Sequence, residues 1–176
     1  MSATDREDQS AQDLRVRRWP DELAHDELRL QWQFLDFLRM TAVGKVSGLD
    51  RASAATAPVA TSPRLTALGV LKHLTAVERH WISIVVAGAD LPSLWPGAPD
   101  PSWDLSDVDT PRSVIAAYRR EWGLSAAALT GVSPDDLTAE GRHTVRWVLA
   151  HVVQETGRHV GHLDLLRELA DGSVGE

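Results

Sequence analysis

Apolar residues recur at spacings of three and four in four separate stretches of the chain, and no useful length alternates with period two. That pattern predicts an all-α protein. A first helix is expected from about residue 21 to 46, with Leu28, Leu30, Phe34, Leu35, Phe37, Leu38 and Val43 as its apolar stripe. Gly44 and Gly48 mark its end, and the small, polar stretch DRASAATAPVATSP reads as a connection. A second helix is expected from about residue 64 to 86, closed by Gly88. Its inward arc reads Val70, His73, Val77, Trp81 and Ile84, with His80 on the same arc. Residues 91–110, including LPSLWPGAPDPSWDL, read as a long loop in which Trp95 or Trp103 caps a hydrophobic opening.

A third helix starts at Thr110 and Pro111, an N-cap followed by proline at the first helical position. It turns Val114, Ile115, Tyr118, Trp122 and either Leu124 or Leu129 inward. SPDDL, from Ser133 to Leu137, reads as a short turn. The fourth helix is expected from about residue 144 to 169, with Gly172 just past its end. The predicted architecture is a four-helix bundle with one or two long connections. It forms a single domain over residues 20–176, preceded by a polar, charged and poorly ordered tail over residues 1–19.

The fourth helix carries the chemistry. With Glu155 as reference direction and about 100° per residue, Val148, Val152, Leu163 and Leu166 fall in its sector, and so do His151, His159 and His162. Arg146, Gln154, Arg158 and Asp164 point elsewhere. A lone histidine on an apolar face is usually a satisfied core residue, and a Glu-His pair four apart is often just a helix side-chain pair. Glu155 and His159 together, faced by an inward His73 on a second helix, point instead to a metal site. An ionisable side chain on a dry face is costly unless it is paired or bound.

Two imidazoles and one carboxylate suit Zn²⁺ first, with Ni²⁺ or Fe²⁺ as alternatives, better than Ca²⁺ or Mg²⁺. Three protein ligands leave coordination positions open, as in catalytic rather than structural sites. His151 and His162 are expected to be core residues, one of them free to orient a ligand. His80 lines the cavity or packs beside Trp81. Trp81, Trp95 and Trp147 line a pocket or fill the core, and His25 and His143 are peripheral. Ser83 and Ser125 lack a neighbouring base and receive no role.

Composition narrows the function further. The 176 residues carry a formal charge of −7 and no cysteine. The charge argues against nucleic acid and anionic membranes as partners. No apolar run is long enough to span a bilayer, and the N-terminus lacks a secretory h-region. A cytoplasmic setting is expected. Without cysteine there is no protein thiolate, so any sulfur chemistry needs a small-molecule thiol.

The stretches GVLKHLTAVERHW (Gly69 to Trp81) and RWVLAHVVQETGRHVGHLDLLRELADG (Arg146 to Gly172) resemble the DinB superfamily, closest to its actinobacterial mycothiol-transferase-like branch. QFLDFLRMTAVGKVSGLD resembles that branch's first helix. The resemblance implies a DinB-like four-helix bundle, commonly a homodimer, whose metal ligands fall at His73, Glu155 and His159. Many relatives have histidine at the position of Glu155. The resemblance further implies that the metal holds the sulfur of a low-molecular-weight thiol, mycothiol-like, for attack on an electrophilic small molecule. A metal-dependent hydrolase of the same fold and a non-catalytic metal-binding stress protein are the alternatives.

Overall fold

Capping side chains set where the helices begin. In the computed structural model, which describes residues 17–174, the first helix (α1, Glu27–Val46) starts behind Asp26, whose carboxylate accepts from Arg29 N–H at 2.9 Å. It therefore starts later than residue 21. Asp21 accepts from Leu23 N–H at 3.0 Å, a local turn that competes with helix for the same backbone donors. Most of residues 1–19, assigned to a tail, lie outside the described residues. Within that stretch, Trp19 packs edge-on against Phe37 at 4.9 Å and Arg17 lies over the same ring.

The connection after α1 is not structureless. Gly48 turns the chain at φ 80°, and Asp50 caps a one-turn helix (α2, Arg51–Ala55). The next helix (α3, Ala67–Glu78) begins at the cap of Thr66, not at residue 64. It passes without a break into a π-helical segment, Arg79–Val86, that the periodicity did not reveal. A 3₁₀ turn at Pro101–Trp103 interrupts the long loop. The fourth α-helix (α4, Pro111–Ala128) opens on a capping box between Thr110 and Ser113. The last (α5, Val145–Asp171) runs from the Thr144 cap to Gly172 in left-handed conformation. No strand occurs among the described residues, and the fold is an all-α helical bundle.

Two apolar clusters fill it. One gathers Val43, Leu68, Leu71, Tyr118, Leu163 and their neighbours; the other gathers Leu35, Ile82, Val85, Val148 and Val152. The predicted arc of the second helix is displaced. Val70 is fully buried as expected, with Leu71, Leu74, Glu78 and Ile82, whereas His73, Val77, Trp81 and Ile84 lie half-buried. His80 is exposed; seven residues beyond His73, it lies on the same edge of the helix. Leu129, not Leu124, packs against the core.

Between the clusters sits a buried ion pair. Arg39, on α1, donates to Glu78 from Nε at 3.1 Å and from Nη2, and to Asp36 from Nη1 at 2.6 Å. Ser125 Oγ donates to Glu78 at 2.8 Å, which gives that serine a structural partner. Burial pushes the Glu78 carboxyl up, while Arg39 and Ser125 pull it back. Two guanidinium N–H groups on two carboxylate oxygens form the fork of an ion pair.

Loop and helix meet closely at Gly69. A Cβ there would lie 2.9 Å from Thr66 Oγ1 and 3.2 Å from the Trp103 carbonyl. This close approach brings the 100–103 segment onto the face of α3 that carries His73.

Candidate metal centre

His73 leaves the edge of α3, while Glu155 and His159 leave one face of α5 a turn apart. Their ligand atoms all lie within 4.8 Å of one another. Glu155 Oε1 is 3.0 Å from His159 Nε2 and 3.5 Å from His73 Nε2. Metal–ligand bonds of about 2.1 Å at tetrahedral angles put donor atoms about 3.4 Å apart. The two Glu155 distances lie close to that spacing and the third pair lies within 4.8 Å, so small side-chain shifts suffice to close the three groups on a divalent metal.

Each imidazole also has a partner on its other nitrogen. His73 Nδ1 lies 3.0 Å from Asp100 Oδ2 and 3.1 Å from Ser102 Oγ. His159 Nδ1 lies 3.2 Å from His162 Nδ1. Trp103 stacks on the His73 ring at 4.4 Å and reaches His159 at 5.3 Å, so of the two loop tryptophans it is Trp103 that covers this cluster. Trp95 instead lies over Lys72, which is tied to the Asp104 carbonyl and to Asp109.

Exposure is uneven. The His159 side chain is 2% exposed, and those of His73 and Glu155 are each 15% exposed. Burial, with His73 nearby, pushes His159 down to about 4 against the opposing pull of Glu155. It is therefore neutral at pH 7. Burial pushes Glu155 up, but His159, Arg158 and His73 outweigh it and hold the carboxyl below its ordinary range.

These shifts fix a pH dependence for the metal-free protein. In the unfolded chain His159 takes up a proton near its ordinary 6.5, whereas the folded form resists to about 4. The unfolded state then binds more protons, and stability falls as pH drops through that window. Glu155 acts in the same direction, because its contribution is lost as pH falls through its depressed folded value. Urea midpoints are expected to decrease from pH 7 to pH 4, and less steeply in His159→Gln. Equal slopes in the two proteins would contradict this assignment.

A cleft of about 230 Å³ opens beside His73, walled by Ala76, Val77 and Leu94 with Ser93, His80 and Asp100 at its polar positions. His80 thus reaches the cleft although it is not in the core. Trp81 and His151 belong to a different cluster. Trp147 is stacked between His143, at 4.4 Å, and His151, at 5.2 Å, while Trp81 meets His151 edge-on at 4.7 Å. His143, expected to be peripheral, is part of that stack. His25 is exposed, and Ser83 is buried without a hydrogen-bond partner for its hydroxyl.

Asp100 and Ser102 were not among the residues that the sequence pattern singled out. The Asp-Pro-Ser-Trp stretch signals a capped turn, but nothing local shows that the turn folds back onto His73.

Among the described residues no helix is long and apolar enough to cross a membrane. No curated protein matches the chain significantly. Residues 31–172, nearly everything from α1 to the end of α5, match the family described as Mycothiol-S-transferase. With a bundle that presents two imidazoles and a carboxylate at one point, the chain belongs to the mycothiol-S-transferase family.

Proposed function

We propose that His73, Glu155 and His159 hold a divalent metal, zinc before nickel or iron, and that the protein is a metal-dependent thiol S-transferase. The thiol is mycothiol or a close analogue, and the acceptor is an electrophilic small molecule. The observation that carries this reading is the convergence of three potential ligand atoms from two helices within 4.8 Å of one another, in a chain of this family. The open cleft beside His73 favours a catalytic site over a sealed structural one.

A divalent metal bound there would lower the pKa of a coordinated thiol, so that it reacts as thiolate at neutral pH. The protein's residues supply the setting. His159 arrives already deprotonated, and Glu155 contributes one negative charge to the site. Trp103 and the walls of α3 and α5 restrict water around the reacting sulfur. The thiol proton leaves to solvent, and the new carbon–sulfur bond forms as the acceptor carbon loses its leaving group. With an activated alkene the π electron pair moves onto the neighbouring carbon or its activating group, which then takes a proton from solvent. No cysteine competes for the acceptor. The reading includes a cytoplasmic homodimer.

Zinc-loaded protein incubated with mycothiol and a panel of electrophiles is expected to form S-conjugates detectable by mass spectrometry. His159→Ala should form them no faster than the uncatalysed reaction. If the loaded wild type never exceeds that variant on any acceptor, the transferase reading fails.

A further inference from the structure

We propose that Asp100 is a positioning residue of the metal centre: it selects the tautomer of His73 that is able to ligate. The inference rests on the reading of His73 as a ligand, and it concerns a residue of the long loop rather than the bundle.

A neutral imidazole has one N–H and one lone pair, and which nitrogen carries which is set by its neighbours. In one tautomer of His73, Nδ1–H donates outward and Nε2 turns a free lone pair toward Glu155 and His159. In the other, Nε2–H donates to Glu155 Oε1, 3.5 Å away, and the site has lost a ligand. Two side chains reach Nδ1. Ser102 Oγ, at 3.1 Å on a fully buried residue, both donates and accepts, so it satisfies either tautomer and biases neither. Asp100 Oδ2, at 3.0 Å, is a carboxylate and only accepts. Its presence requires a hydrogen on Nδ1 and thereby frees Nε2.

The carboxylate is held in place from several sides. Its other oxygen, Oδ1, accepts from Ser102 N–H at 2.9 Å and closes the turn at Pro101–Trp103. The Asp100 carbonyl accepts from Arg64 Nη2, and Arg64 Nε donates to Asp104 at 2.9 Å. Lys72 Nζ donates to the Asp104 carbonyl at 2.6 Å. One oxygen thus fixes the loop and the other fixes the ring. His159 has no such arrangement, since its Nδ1 faces His162, which either donates or accepts.

Two measurements test this. Long-range ¹H–¹⁵N spectra of the metal-free protein at neutral pH report the tautomer of each histidine directly. Wild-type His73 is expected as the Nδ1–H form, and in Asp100→Ala the Nε2–H form should become the major one. Asp100→Asn, which keeps the size and an acceptor for Ser102 N–H, should lie between them and guards against a loop that fails to fold. Competition with a chromophoric chelator should then show zinc binding weakened about 10–100-fold in Asp100→Ala. Ser102→Ala should stay within about threefold of wild type, because its hydroxyl serves both tautomers. An unchanged His73 tautomer in both Asp100 variants overturns the proposal, and so does unchanged zinc affinity in Asp100→Ala. If the wild type itself binds no zinc, the metal reading falls, while the spectra still decide what Asp100 does to His73.

Discussion

Zinc supplied to the metal-free protein at about a thousand times its dissociation constant is expected to stabilise the fold by about 4 kcal/mol. For a chain of this size that corresponds to a rise in Tm of about 8–16 °C. The effect is large because the ligands come from two elements far apart in sequence. His73 sits on α3 and the other two on α5, so a metal joins the helices only when the bundle is assembled. Unfolded, His73 and His159 are separated by a long flexible chain and bind metal weakly. The ligating form of His159 is populated without proton release, since burial keeps it neutral at pH 7. His73→Ala and His159→Ala should each remove most of the shift, and elemental analysis should find about one metal per wild-type chain and far less in the double variant. A Tm indifferent to zinc, nickel and iron would reduce these residues to a core hydrogen-bond cluster.

Truncation of Glu78 to alanine is expected to destabilise the protein by about 3–5 kcal/mol, because the buried Arg39 guanidinium would lose its counter-charge. Arg39 and Glu78 are 0% and 1% exposed, so the guanidinium left behind is buried away from bulk solvent. The guanidinium stays charged at any accessible pH, so it cannot relieve the cost by losing its proton. Asp36 and the face of Trp32, 4.3 Å from the guanidinium carbon, would compensate only in part.

The double replacement Arg39→Met with Glu78→Leu removes both charges and should recover most of the loss, since a buried pair contributes less net stability than its disruption costs. Urea unfolding of the metal-free variants separates these outcomes. A Glu78→Ala cost below about 1 kcal/mol would mean that the pair is hydrated in solution. The position also bears on the site. Glu78 is the last α-helical residue before the π segment and lies five residues beyond His73, so loosening it should weaken zinc binding as well.

Sequence alone determined the helical class and the shared face of Glu155 and His159, because side chains four apart on a helix share a face wherever that helix goes. His73 lies on another helix, and its approach to them is decided by the assembled bundle. The cap at Thr110, the start near Thr144 and the stop at Gly172 were legible because helix ends are set by chemistry between near neighbours. What a 3.6-residue projection could not contain was the π segment after Glu78. It adds about one residue per turn and so shifts the projection of the side chains beyond Glu78. Nor could it contain contacts made across the fold. Arg39 carries no local signal of its role, because its partner Glu78 is 39 residues away. Asp100 and Ser102 sit 27 and 29 residues from His73, in a loop whose path is set by Arg64, Lys72 and the bare backbone at Gly69. Local pattern places a ligand on a helix face. Which nitrogen that ligand offers is decided by a distant carboxylate, and only the tertiary structure brings the two together.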